Sequence, residues 1–281
     1  MGLRHSLLRL SGIVVFSFVL VACSNAPKKI EPDLPEDEYY QEAQKALEQG
    51  RPTLAVAHLT DLDLRYPFGK YSQQAKIELI YANYLAGDYA ASHAAADRFI
   101  RNFPDSKQLD YAFYYKALST YKSAESLSFR YLNQDLSQRD TSEFVQSFNE
   151  FAALLKRYPN SAYSIDAKAR MIFLRNTIAE HEIKVARYYF KRNAPLAALN
   201  RGQTVLKDYP SSNSIEAALG IIVQAYNELE EKELATRYLA LLRTNYPQSS
   251  FLDKQGNFIT PKKPADANPG FWYWISLGLI D

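Results

Sequence analysis

The stretch LRYPFGKYSQQ, residues 64–74, ends a run of helix-forming residues with an aromatic followed by proline. Proline offers no backbone donor and disfavours helical geometry in the residue before it, so the chain has to turn there. The same pair returns as Phe103-Pro104, Tyr158-Pro159, Tyr209-Pro210 and Tyr246-Pro247. Five such stops indicate a chain built from repeated units. Twelve, eight and five residues before each proline stand Ala55, Leu59, Leu62; Ser92, Ala96, Phe99; Ser147, Phe151, Leu154; Ala198, Gly202, Val205; and Ala235, Leu239, Leu242. Spacings of four and three put each trio on one helical face. The first member is small in every copy, which lets a neighbouring helix approach closely. Ser106, Ser161, Ser212 and Ser249 lie two residues beyond their prolines. They are expected to cap the next helix by accepting its free amides.

Each unit needs a first helix, and the pattern predicts these over 36–49, 71–86, 107–124, 162–192 and 214–230, with Gly50, Gly87 and Asn193 at the tight turns inside the hairpins. The trio and its proline resemble the second helix of a tetratricopeptide repeat. The expected fold is therefore all-α: an α-solenoid of about five such hairpins, bounded near 36–69, 70–106, 107–161, 162–212 and 213–250. Successive prolines are 37, 55, 51 and 37 residues apart, whereas a bare repeat needs about 34. The surplus places an insertion near 124–142 and an elongated helix around 165–192.

Composition narrows the function. The chain has 281 residues, 47% of them hydrophobic, which is ample for a core without metals or disulfides. Of 33 basic residues, Arg4 and Arg9 lie in the first 22; removing them leaves 31 against 31 acidic ones. A neutral chain argues against nucleic-acid binding. Tyrosine, with 21 copies, suits helix interfaces and partner surfaces alike. Residues 1–22 read as an export signal, with two arginines ahead of the apolar stretch Leu10 to Ala22. Leu20-Val21-Ala22-Cys23 resembles the lipobox of bacterial lipoproteins and holds the only cysteine. The resemblance implies cleavage before Cys23, a covalent lipid on its thiol, and, with Ser24 rather than aspartate next, the periplasmic face of an outer membrane. Residues 23–35 then form a solvated tether. No other cofactor and no metal are expected.

No catalytic constellation is legible. His58, His93 and His181 lie far apart in sequence, and His181-Glu182 is not followed by a second histidine at metal-ligand spacing. Nucleophile elbow, phosphate loop and paired cysteines are all missing from the sequence. What repeats do offer is a curved surface for gripping another polypeptide.

Several segments go further. Arg65-Tyr66-Pro67-Phe68-Gly69 with Tyr71-Ser72-Gln73-Gln74, then Leu79-Ile80-Tyr81-Ala82, Asp97-Arg98-Phe99-Ile100-Arg101, Asp135 to Asp140 and Tyr158-Pro159-Asn160-Ser161 together resemble the BamD family, also called ComL. The resemblance implies a lipoprotein subunit of the machinery that inserts β-barrel proteins into the outer membrane. Its partners would be the barrel-forming subunit, accessory lipoproteins and unfolded outer-membrane proteins. It implies a client-binding surface at Arg65, Tyr66, Phe68, Tyr71, Gln73 and Gln74, and a contact with the barrel-forming subunit near Asn200 and Arg201. The other reading from sequence is a periplasmic repeat lipoprotein that coordinates or activates cell-wall synthesis. The tail 251–281 is expected to be irregular, yet Phe271-Trp272-Tyr273-Trp274-Ile275 is too apolar to float free and is expected to pack onto the last repeat.

Overall fold

The computed structural model describes residues 34–130 and 140–261, apart from the side chains of 126–130. The signal segment, Cys23, most of the tether, the middle of the 124–142 insertion and the aromatic run 271–275 lie outside the described residues. Ten helices follow one another: α1 Glu36–Glu48, α2 Pro52–Arg65, α3 Ser72–Leu85, α4 Tyr89–Asn102, α5 Leu109–Arg130, α6 Ser142–Arg157, α7 Ser164–Lys191, α8 Pro195–Asp208, α9 Ile215–Glu228 and α10 Lys232–Asn245. Each packs on the next, making five antiparallel hairpins, and α3 also touches α5 as α7 touches α9. This is the expected solenoid.

All five aromatic–proline pairs fall at the ends of hairpins, four of them at the joint to the next hairpin, and they share one backbone conformation. Tyr66, Phe103, Tyr158, Tyr209 and Tyr246 each stand at the helix C-cap with φ between −124° and −137° and ψ between 47° and 65°. In every copy the aromatic amide donates to the carbonyl four residues back, over 2.7–3.0 Å. Its own carbonyl accepts from the amide three residues on, over 3.0–3.1 Å. The corner is thus a β-turn with proline at its second position, where a fixed φ favours the turn and a missing N–H removes nothing.

The trios form the inner seam. Fourteen of the fifteen residues are buried; Leu239, on the last helix, is half-buried. The small first position serves two purposes. Ala55, Ala198 and Ala235 admit the neighbouring helix, while buried Ser92 and Ser147 donate across the hairpin to the carbonyls of Ile80 (2.8 Å) and Ala117 (2.9 Å). A buried hydroxyl left unpaired would be costly, so these bonds are what permits serine there.

The turns inside the hairpins behave as expected, with positive φ at Gly50, Gly87 and Asn193. A fourth such turn, at Glu230 (φ 63°), was not anticipated, because glutamate is rarely placed in the left-handed region. The serine caps need correcting. Ser106, Ser161 and Ser249 accept from the amide two residues on, each at 3.2 Å, before the helix proper has begun. They brace the corner instead of capping the helix. Ser212 Oγ is buried with no hydrogen bond among the described residues.

The surplus length went where the spacing put it. α5 runs to 22 residues and α7 to 28, twice the 14 of α3 or α9. The first half of α7, through Ile178, packs with α5 and α6; the second, from Ala179 to Phe190, packs with α8 and α9. One unbroken helix, about 42 Å long at 1.5 Å per residue, therefore belongs to two cores. Among the described residues no helix is long and apolar enough to cross a membrane.

Candidate functional site

The first corner is built differently from the other four. Where they carry serine, Gly69 lies against the carboxylate of Glu36 from the start of α1, and a Cβ there would overlap it. That carboxylate accepts from the Tyr71 amide at 2.6 Å, at the amino end of α3, where a negative charge is favoured by the exposed amides. Tyr71 stacks on Tyr40 of α1, with ring centroids 4.4 Å apart and planes 11° from parallel. The Tyr66 hydroxyl donates to the Leu34 carbonyl at 3.0 Å, tying down the start of the described chain.

Glu78 on α3 is the hub behind this corner. It accepts from Tyr40 (2.8 Å), Gln74 (2.7 Å) and Gln44. Burial, reinforced by the bond to Glu78, pushes the Tyr40 phenol well above the ordinary tyrosine range. Beyond Gln74 a groove of about 380 Å³ opens across three successive hairpins, lined by Gln74, Glu78, Lys107, Gln108, Tyr111 and Tyr163. Its floor belongs to a cluster of tyrosines. Tyr114 stacks on Tyr163 at 4.5 Å, and Tyr115 meets Tyr111, Tyr81 and Tyr84 at 4.6–5.6 Å. Burial raises Tyr111 and Tyr115, and raises Tyr114 to about 12 with help from its bond to Asp166. These phenols stay protonated at neutral pH, and Tyr114 donates to Asp166 at 2.8 Å.

The six residues expected at this surface are together but not alike. Phe68 is 98% exposed, and Leu64, four residues before it, is 77% exposed. Gln73 is exposed and reaches Ser106 Oγ of the next corner at 3.3 Å. Arg65 is exposed, its guanidinium 5.8 Å from the centre of the Tyr39 ring. Tyr66, Tyr71 and Gln74 are half-buried and bonded into the scaffold. Sequence reasoning missed Tyr40, Gln44 and Glu78, whose signal was weak: they lie on two helices and meet only through the fold.

Asn200 and Arg201 form a separate surface on α8. Asn200 is exposed. Arg201 pairs with Glu182 of α7 at 3.1 Å and lies over Tyr189, and the bond to Glu182 holds its guanidinium even more firmly charged. His93 Nε2 is 2.8 Å from Glu150 and joins α4 to α6. Among the described residues no cluster of metal-ligating side chains occurs.

Comparison with known proteins gives one family. A family model described as outer membrane lipoprotein, YfiO, matches residues 32–242. The chain is 37% identical over 236 residues to the outer membrane protein assembly factor BamD of Vibrio cholerae, covering 84% of this chain and 97% of the relative. It is 35% identical over 248 residues to the factor of the same name from Neisseria meningitidis serogroup B, covering 88% and 90%. The Pasteurella multocida factor is 32% identical over 254 residues, covering 90% and 94%.

Proposed function

The chain belongs to this family of outer membrane lipoproteins, whose relatives are named outer membrane protein assembly factors, and on that footing we propose how its surfaces share the work. The protein is a non-enzymatic factor in outer-membrane protein assembly. It is anchored through lipid on Cys23 at the periplasmic face and holds an unfolded barrel protein at the first corner, around Phe68, Arg65 and Gln73. It docks on the barrel-forming subunit through α8, at Asn200 and Arg201.

The observation that carries this reading is Phe68. A fully exposed phenylalanine contributes nothing to the fold, while Tyr40, Tyr71, Glu36 and Glu78 fix the loop that presents it. Presenting an apolar side chain on a rigid polar frame is what binding requires, because little ordering remains to be done. An unfolded barrel strand brings alternating apolar side chains and unpaired backbone groups. Phe68 meets the first and the amide of Gln73 the second. Affinity stays modest because the client loses conformational freedom on binding, which allows it to be passed on.

A photo-crosslinker at position 68 should capture unfolded barrel proteins in cells, and Phe68→Ser with a crosslinker at 73 should reduce capture. Depletion of the protein should lower the level of folded barrels in the outer membrane. Normal barrel levels after depletion would reject the function, and unchanged capture would reject the site.

A further inference from the structure

α7 is twice as long as the helix that folds back on it. Its 28 residues stand against the 14 of α8, so α8, about 21 Å long at 1.5 Å per residue, runs alongside only the second half. In that half Ala179, Ile183, Ala186 and Phe190 follow one another at spacings of four, three and four, the seam of a heptad repeat. All four are buried and packed with α8 and α9. Counting back from Ala179 in the same rhythm gives Asn176, Ile172, Ala169 and Ile165, so the first half of α7 presents the same face. There the face is bare. Ile165 is 84% exposed and Ile172 52%, and Ala169 is exposed too. Asn176 marks the limit of the cover: its side-chain oxygen accepts from the Asn213 amide at 3.1 Å, in the corner that follows α8.

One edge of the seam carries positive charge. Glu182 pairs with Arg201 of α8 at 3.1 Å, which identifies the edge that an antiparallel neighbour meets. Steps of seven residues back from Glu182 along that edge reach Arg175 and Lys168. Lys168 is exposed. The Arg175 Nε is buried with no hydrogen-bond partner among the described residues, and a buried donor is costly to leave unpaired. On the other edge Asp166 is held by Arg170 and Tyr114, and Phe173 is 43% exposed.

We propose that the bare half of the α7 seam docks an amphipathic helix of a partner protein, with apolar residues at heptad spacing and carboxylates along one edge. A helix fits because helix α8 already fills the other half of the same seam. An extended strand repeats its side chains about every 6.6 Å on one face, whereas Ile165 and Ile172 lie about 10.5 Å apart along the axis at 1.5 Å per residue. Carboxylates fit because Lys168 and Arg175 occupy the edge on which Glu182 meets Arg201, with the sign reversed. A second copy paired antiparallel would set these two cations against themselves. The inference stands apart from the client reading, which concerns the first corner and an unfolded chain.

The first probe is a fluorescein-labelled synthetic peptide of three heptads with leucine in the seam and glutamate at both edges. The protein from Ser24 to Asp281 should bind it, and should bind the same peptide with lysine edges at least roughly tenfold more weakly. Lys168→Glu should narrow that preference. Ile165→Glu combined with Ile172→Glu should weaken binding at least roughly tenfold, with helical circular dichroism retained. Equal binding of the two peptides, or binding untouched by these variants, would overturn the proposal. In cells, photo-crosslinkers at 165 and 172 should join one stretch of a partner, identified by mass spectrometry of the joined peptides, whose apolar residues recur every three or four positions with acids along one edge. Crosslinks to unfolded barrel proteins would overturn the proposal in favour of a longer client surface, and crosslinks to the same helix of another copy in favour of a dimer. Crosslinks to the chain's own residues 131–139, or none at all, would overturn it as well.

Discussion

Residues 68 and 69 are neighbours with opposite relations to the fold. Phe68 is exposed and packs on nothing that the fold needs. Phe68→Ser should leave the unfolding free energy within about 0.5 kcal/mol of the parent. A client that buries this ring should lose about 2 kcal/mol of binding, or roughly thirtyfold in affinity. Urea denaturation checks the first and titration with a labelled barrel-strand peptide the second. Gly69→Ser would install the residue that the other four corners carry, and yet it should destabilise. The added side chain displaces Glu36 from the Tyr71 amide, at a cost of about 1 kcal/mol. In a Glu36→Ala background the same change should cost nothing further, and a double-mutant cycle by urea denaturation measures the difference. Gly69 was visible in the sequence only as a departure from serine. Its reason was not, because Glu36 is 33 residues away and reaches the corner through the packing of α1 on α3.

The elements are joined by polar bonds laid over the apolar seam, and two of these, at Glu150 and Asp166, are sensitive to acid. Burial pushes the Glu150 carboxyl up, but bonds from His93, Gln146 and Thr120 outweigh it and hold the group below the ordinary carboxylate range. Asp166 is lowered in the same way, with burial outweighed by Arg170 and Tyr114. A carboxylate lowered in the folded state adds stability above its unfolded pKa of about 4.3 for glutamate and 3.9 for aspartate. That contribution is lost as pH falls through the folded value. The thermal midpoint should therefore drop below pH 4, and Glu150→Gln should flatten that drop while Asp166 preserves the rest. The helices themselves were legible in the sequence, since proline marks each stop and glycine or asparagine marks three of the turns. Their exact starts were not. The pattern assigned Ser106 and Ser161 to caps, whereas the chain first completes a β-turn and only then begins Leu109–Arg130 and Ser164–Lys191. A side-chain oxygen near a helix start has two amides within reach, and composition does not say which it takes.

At the scale of the whole molecule, α7 unites what would otherwise be two stacks. Its first half closes the core of Phe151 and Leu174, its second the core of Val205 and Ile222. Ala179→Pro removes a helical bond at the boundary and clashes with the preceding turn, at a cost of about 3 kcal/mol or more. The parent should melt in one transition and the variant in two, as followed by calorimetry. The elongation of α7 was readable from the proline spacing, but its double membership was not, because which half faces which core depends on how α8 folds back. One mechanical consequence remains. No loop interrupts the 28 residues from Ser164 to Lys191. A force applied at the first hairpins thus reaches the far ones as leverage along a stiff beam and is not absorbed at a hinge.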